Sequence, residues 1–181
     1  MATGHHTDEQ AARELVADAP DPSNSLPSGY RPELPRQLIH DLQGCLRNGV
    51  LVGHRVLGDV PASGGAYALV LYLEQAVVVD LPRLRPEPIE PGWYLYAGSA
   101  YGPGGLRARL TRHFRLQKKP HWHIDRLTSI RTPAAALSMP GGREYIVAAD
   151  LTAGRAFAYA LPGFGASDCR QCRSHLLAWR A

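Results

Sequence analysis

The chain has 181 residues, 45% of them hydrophobic and 20% charged, with a net charge of +4 and a pI of about 9.1. Those values fit an ordinary globular protein with one good core and a small appendage, and the charge is too slight to imply an anionic partner by itself. No stretch approaches the roughly 18–20 consecutive apolar residues of a membrane span. The opening Met-Ala-Thr-Gly-His-His lacks the basic flank and apolar run of a signal peptide, and three cysteines argue against a disulfide framework, so a cytoplasmic setting is expected.

Residues 1–32 are rich in proline, serine and acidic groups and read as a mobile tail, with a short helix at Gln10–Val16. Leu34, Leu38, Ile39, Leu42, Cys45 and Leu46 recur at helical spacing, and Gly49 supplies the stop. Val50–Val60 follows as an extended run, so residues 33–62 form an N-terminal piece beside a main domain at 63–181. Ala66–Leu73 and Ala76–Leu81 are rich in β-branched and aromatic residues around Glu74-Gln75, which predicts a hairpin. After Pro82, Pro86, Pro88 and Pro91, Trp93–Ala97 predicts a third strand. Beyond a turn-rich loop, Leu106, Leu110 and Phe114 mark one face of a helix. Further helices are expected near His123–Leu127 and from Arg143 to about Leu151. Strands followed by helices imply an α+β layering, with helices packed on an antiparallel sheet.

Chemistry concentrates where the third strand meets the basic helix. Between Glu90 and Asp125 there is no acidic residue, while Arg107, Arg109, Arg112, Arg115, Lys118 and Lys119 all fall there. Exposed N–H groups at the start of that helix suit a phosphate. The loop is neither a Walker A sequence nor a dinucleotide fingerprint, so a bound nucleotide is not the leading idea. Arg109 and His113, four residues apart, flank the apolar stripe, and a guanidinium held there suits a bidentate grip on phosphate. Arg112 and Arg115 point further toward solvent. A plain solvated basic face is the alternative.

Gly65-Ala66-Tyr67, Tyr96-Ala97-Gly98 and Leu106-x-x-Arg109-x-x-x-His113 resemble the motifs of GIY-YIG nucleases. The strings GSA, GGL-x-x-R-x-x-RH, HWHID and GFG-x-SDC…C-x-SHL resemble, more closely, the Uri-type branch of those endonucleases. The matches span Gly65 to Leu176 in the expected order. The resemblance implies a small α+β fold around a three-stranded antiparallel sheet flanked by helices, and hydrolysis of phosphodiesters with one divalent cation, Mg²⁺ or Mn²⁺. By position, Tyr67 and Tyr96 correspond to the motif tyrosines, Arg109 to the motif arginine and Glu144 to the metal-binding glutamate. His113 joins them as a catalytic candidate. Gly98, Ser99, Arg107, Arg112, His121 and His123 are candidate substrate contacts. Ala66 stands where the family usually carries isoleucine, and the long separation of Tyr67 from Tyr96 makes Ala76–Pro91 an added strand and loop.

The chemistry is coherent from the residues up. A hard cation commonly binds through one or two carboxylates plus the substrate phosphate, which Glu144 fits. Arg109 would clamp the phosphate. Tyr67 could take a proton from water only with its pKa, normally about 10, lowered. The His121/His123 pair could bind metal, or His123 could orient a phosphate with Asp125 behind it, or Asp125 could be a helix N-cap. Cys169, Cys172 and His175 could supply three of zinc's four positions, or be buried reduced thiols beside a locally bonded histidine. The leading expectation is a structure-selective endonuclease acting on nucleic acid, DNA ahead of RNA. Its rivals are a non-catalytic nucleic-acid-binding module, zinc-stabilised, and a protein-interaction domain displaying Trp93, Trp122 and the proline-rich segment.

Overall fold

The computed structural model describes residues 32–181 apart from 83, 168, 170 and 171. The expected Gln10–Val16 helix, and the expected tail up to position 31, lie outside the described residues. Helix α1 (Arg36–Cys45) leads to strand β1 (Val50–Val52), a 3-10 helix (His54–Asp59) and strands β2 (Gly65–Leu73), β3 (Val77–Val78), β4 (Pro88–Ile89) and β5 (Gly92–Ser99). Helices α2 (Gly105–His113) and α3 (Asp125–Thr128), strand β6 (Ala135–Pro140), helix α4 (Glu144–Ala153) and strands β7 (Phe157–Tyr159) and β8 (Leu176–Trp179) complete it.

The architecture is α+β, but its main sheet has six strands rather than three, antiparallel throughout, in the order β1-β6-β2-β5-β8-β7. Strands β6 to β8 carry few β-branched residues, and β6 reads Ala-Ala-Leu-Ser-Met-Pro. They are strands because the open ladders of β2 and β5 need partners, not because of intrinsic propensity. The expected hairpin across Glu74-Gln75 does not form. Strand β2 pairs with β5 and β6, while β3 and β4 make a separate two-stranded ribbon in the connection. The expected extended run from Val50 stops as a strand at Val52 and continues as the 3-10 helix.

Both faces of the central strands are covered, which explains why β2 is apolar almost throughout instead of alternating. Tyr67, Leu69 and Leu71 point to one core with Leu106, Leu110, Phe114, Ile124 and Leu127. Ala66, Ala68 and Val70 point to the other, where Leu38, Leu42 and Leu46 meet Val147, Ala148 and Leu151. The expected stripe of α2 is the buried one, and the N-terminal segment is built into the sheet through β1 pairing with β6.

Candidate active site

The register sets the site. Tyr67 on β2 stands opposite Gly98 on β5 and Ser138 on β6. A Cβ on Gly98 would overlap the Tyr67 Cζ and Oη and come within 2.7 Å of Cε2, so the ring lies across a backbone that only glycine leaves open. Tyr67 and Tyr96, Arg109 from α2 and Glu144, the first residue of α4, line one pocket of about 270 Å³. Gly98 and Ser99 line it as well. Four elements thus bring together the four residues that the family resemblance assigns by position.

Behind the pocket lies a buried polar chain. Tyr67 Oη is 2.8 Å from His113 Nε2, and both residues are almost wholly inaccessible. On the other side of the imidazole, Nδ1 lies 3.6 Å from Asp125 Oδ1. That separation is too long for a hydrogen bond, so the attraction is electrostatic and both atoms lack a hydrogen-bond partner. Asp125 Oδ2 is fully engaged, accepting from Arg112 Nη2 at 2.9 Å, His121 N at 2.8 Å and Trp122 N at 3.0 Å.

These contacts fix the charges. Burial would push the Asp125 pKa up, but His113, the two backbone N–H groups and Arg112 outweigh it and hold the carboxyl well below the usual range. Burial lowers the His113 pKa against the pull of Asp125, which favours a neutral imidazole. Burial also raises Tyr67 well above an ordinary phenol, with Tyr96 adding to the shift and Arg109 opposing it. Tyr96 is raised for the same leading reason. The lowered phenol that would make Tyr67 a simple base is therefore not what the site provides.

Several expectations about the basic segment need correcting. The start of α2 is not an open anion cradle, because the N–H groups of Gly105, Leu106 and Arg107 donate to the carbonyls of Gly102, Ser63 and Pro61. Gly105, at φ +55°, is packed so closely that a Cβ would overlap the Ala62 and Ser63 oxygens. Arg107 is exposed and donates to the Val60 carbonyl outside the pocket. Arg112 does not project to solvent but is spent on Asp125 and the Lys119 carbonyl, whereas Arg115 is exposed. Lys118 donates to the carbonyls of His113, Arg115 and Thr128, and burial pulls its pKa down to about 8. These cations close the end of α2.

The histidine pair separates. His121 is exposed and packs edge-on against Trp122, while His123 Nδ1 accepts from Gly165 N at 2.9 Å. Among the described residues, neither joins a group of three metal-binding side chains. Asp125 backs His113 rather than His123, and it is not the α3 N-cap, which is Ile124. Trp122 and Tyr101 also line the pocket, without having been singled out for it by spacing. The Arg109 guanidinium lies 3.8 Å from the Trp122 ring centroid, a cation–π contact that positions it. The HWHID string was the available signal for Trp122; Tyr101 had none.

At the pocket's edge, Cys169 and Cys172 form a disulfide, contrary to both the expected reduced thiols and the argument from cysteine count. His175 stands beside them, and the three form a group able to hold a metal once the sulfurs are free. Burial lowers the His175 pKa, opposed by Glu144. Cys45 is a free thiol, half-buried against the second core.

Residues 66–181 match a family described as a domain of unknown function, DUF123. The chain belongs to the DUF123 family. The matched segment contains every pocket residue named above and omits α1 and β1. No curated protein and no solved structure matches this DUF123 chain. Among its described residues, no helix is long and apolar enough to cross a membrane.

Proposed function

We propose that this pocket hydrolyses phosphodiester bonds in nucleic acid, as a GIY-YIG-type endonuclease of the Uri branch, acting on DNA ahead of RNA and selecting structure rather than sequence. One observation carries the reading: Tyr67, Tyr96, Arg109 and Glu144, from four separate elements, line a single cavity. The donor set fits a hard divalent cation such as Mg²⁺ or Mn²⁺, with one carboxylate beside open space for waters and phosphate oxygens. Glu144 would hold it. When bound, the cation supplies Lewis-acid stabilisation of charge on the phosphate.

The chain's own residues supply the rest. Arg109, stacked on Trp122, presents its fork to a non-bridging phosphate oxygen pair. Tyr67 need never become a free phenolate. Its oxygen accepts a proton from the attacking water as its own passes to His113 Nε2, and the imidazolium so formed is stabilised by Asp125 at 3.6 Å. This requires the neutral tautomer with the proton on Nδ1, the side that faces Asp125.

The experiment uses labelled single-stranded, duplex, flap and RNA substrates with Mg²⁺ or Mn²⁺, comparing wild type with Glu144→Gln. Binding that persists without cleavage in the variant is the expected result. Wild-type cleavage by Glu144→Gln refutes the ligand assignment, and binding with no cation-dependent product in wild type favours a non-catalytic binding module. No salt-sensitive affinity for nucleic acid at all would point instead to a protein-interaction domain.

A further inference from the structure

One constellation lies outside that chemistry. Cys169, Cys172 and His175 bring two sulfurs and an imidazole nitrogen within 4.8 Å of one another. His175 is 5% exposed, and its Nε2 is buried with no hydrogen-bond partner, a state that typically costs about 1–3 kcal/mol unless something satisfies it. The scaffold around the group is independently fixed. His175 N donates to the Phe164 carbonyl at 2.8 Å, its own carbonyl accepts from Ala97 N at 3.0 Å, and Cys169 N donates to Ala166 at 3.1 Å. Gly165, at φ +72°, lets the turn close against Tyr96 and His175. The fold thus anchors Cys169 and His175 side by side, and Cys172 stands against them through its bond to Cys169.

We propose that the reduced chain binds one zinc ion through Cys169 Sγ, Cys172 Sγ and an imidazole nitrogen of His175, and that the disulfide is the metal-free alternative of the same site. Two thiolates and an imidazole favour a borderline-soft ion over the hard cations that carboxylates prefer. They supply three of four tetrahedral positions, and the fourth goes to water, because Cys169 and His175 both face the pocket. The two states interconvert by a balanced exchange. A dithiol reductant gives two electrons and two protons to the Cys169–Cys172 bond and becomes a disulfide, and zinc then displaces the two thiol protons. In the reverse direction a disulfide oxidant takes two electrons from the two thiolates and two protons from solvent to become its dithiol, the Cys169–Cys172 bond re-forms, and the ion is released. The proposal rests on these three side chains alone and stands whether or not the pocket cuts nucleic acid.

Full-length, untagged protein is reduced with a dithiol, desalted without oxygen, loaded with zinc chloride, desalted again and assayed for zinc. A second sample is oxidised with diamide first, and thiol titration should find three thiols in the reduced sample and the Cys45 thiol alone in the oxidised one. The expected result is about one equivalent of zinc on reduced protein and less than about a tenth on oxidised protein. Co²⁺ loaded the same way should give a thiolate-to-cobalt absorption band in the near ultraviolet, which tests the ligands without any substitution. Cys172→Ser and His175→Gln should each weaken retention. Less than about a tenth of an equivalent on fully reduced protein overturns the site. So does zinc retained by a Cys169→Ser/Cys172→Ser double variant, or equal loading of the oxidised and reduced forms.

Discussion

Replacing Gly98 by alanine tests how the central tyrosine is held. The added methyl would fall on the Tyr67 ring at Cζ and Oη, and because Gly98 is still paired with Tyr67 one residue from the end of the β2–β5 ladder, the backbone cannot retreat without breaking that pairing. The ring must move instead. Overpacking of this kind costs about 1–3 kcal/mol. Displacing the hydroxyl also strands His113 Nε2, buried and now without its 2.8 Å partner, for about another 1–3 kcal/mol. A total near 4 kcal/mol corresponds to a fall in Tm of about 8–16 °C for a protein of this size. Thermal unfolding followed by circular dichroism measures it, and a double-mutant cycle assigns it. In a Tyr67→Ala background the new methyl enters vacated space, so the cost of Gly98→Ala should drop by at least about 1 kcal/mol. A Gly98→Ala protein melting within a degree of wild type, or one equally destabilised in both backgrounds, would show that the two residues do not constrain each other.

Arg109→Lys should lower cleavage by about 10²–10³ while leaving affinity for nucleic acid within a few-fold, since an ammonium neither forks nor stacks on Trp122 as a guanidinium does; equal rates in a single-turnover assay would remove Arg109 from the site. Asp125→Ala should cost about 3 kcal/mol in chemical denaturation, because Arg112 and two backbone N–H groups lose their common acceptor. Stability should fall as pH drops below about 6.5, because the unfolded chain takes up protons that buried, neutral His113 and His175 resist. A second decline should follow below about 4, where Asp125 protonates unfolded but stays ionised in the fold. Urea midpoints from pH 8 to 5 should flatten in His113→Gln, and an unchanged slope would mean that His113 contributes nothing to the upper window.

Tyr67, Tyr96 and Arg109 are legible because each sits in a short local string: a tyrosine opening a strand, another near the end of one, an arginine flanking an apolar helix stripe; Glu144 is marked by the family resemblance alone, and Tyr101 by nothing. Their meeting was a matter of folding. What stayed hidden depended on partners distant in sequence. Arg112, a candidate substrate contact, and Lys118, its neighbour in a run without acidic residues, both look free to meet an anion, yet one is taken by Asp125 and the other by three carbonyls. Glycine and charge suggest an open start to α2, but carbonyls of residues 61 and 63 fill it, and backbone acceptors leave no mark in side-chain patterns. Strands β6 to β8 were missed because alanine, serine and short length carry no period-two signal.

The helix that carries Arg109 is suspended from residues that precede the family segment. Carbonyls of Pro61 and Ser63 receive its first N–H groups, Arg107 reaches back to Val60, and the carbonyl of Gly64 accepts from Gly141 just ahead of Glu144. A truncated protein beginning at Ala66 would keep every described residue lining the pocket and lose these anchors, together with β1 and the α1 side chains that cover one sheet face. It would expose the ladder edge of β6 and the apolar surface around Val70 and Leu137, a combination that invites strand addition between copies. The family match and the hydrogen-bonded support of the pocket thus begin at different places in this chain, and aggregation of the shorter protein would say nothing about the chemistry of its pocket.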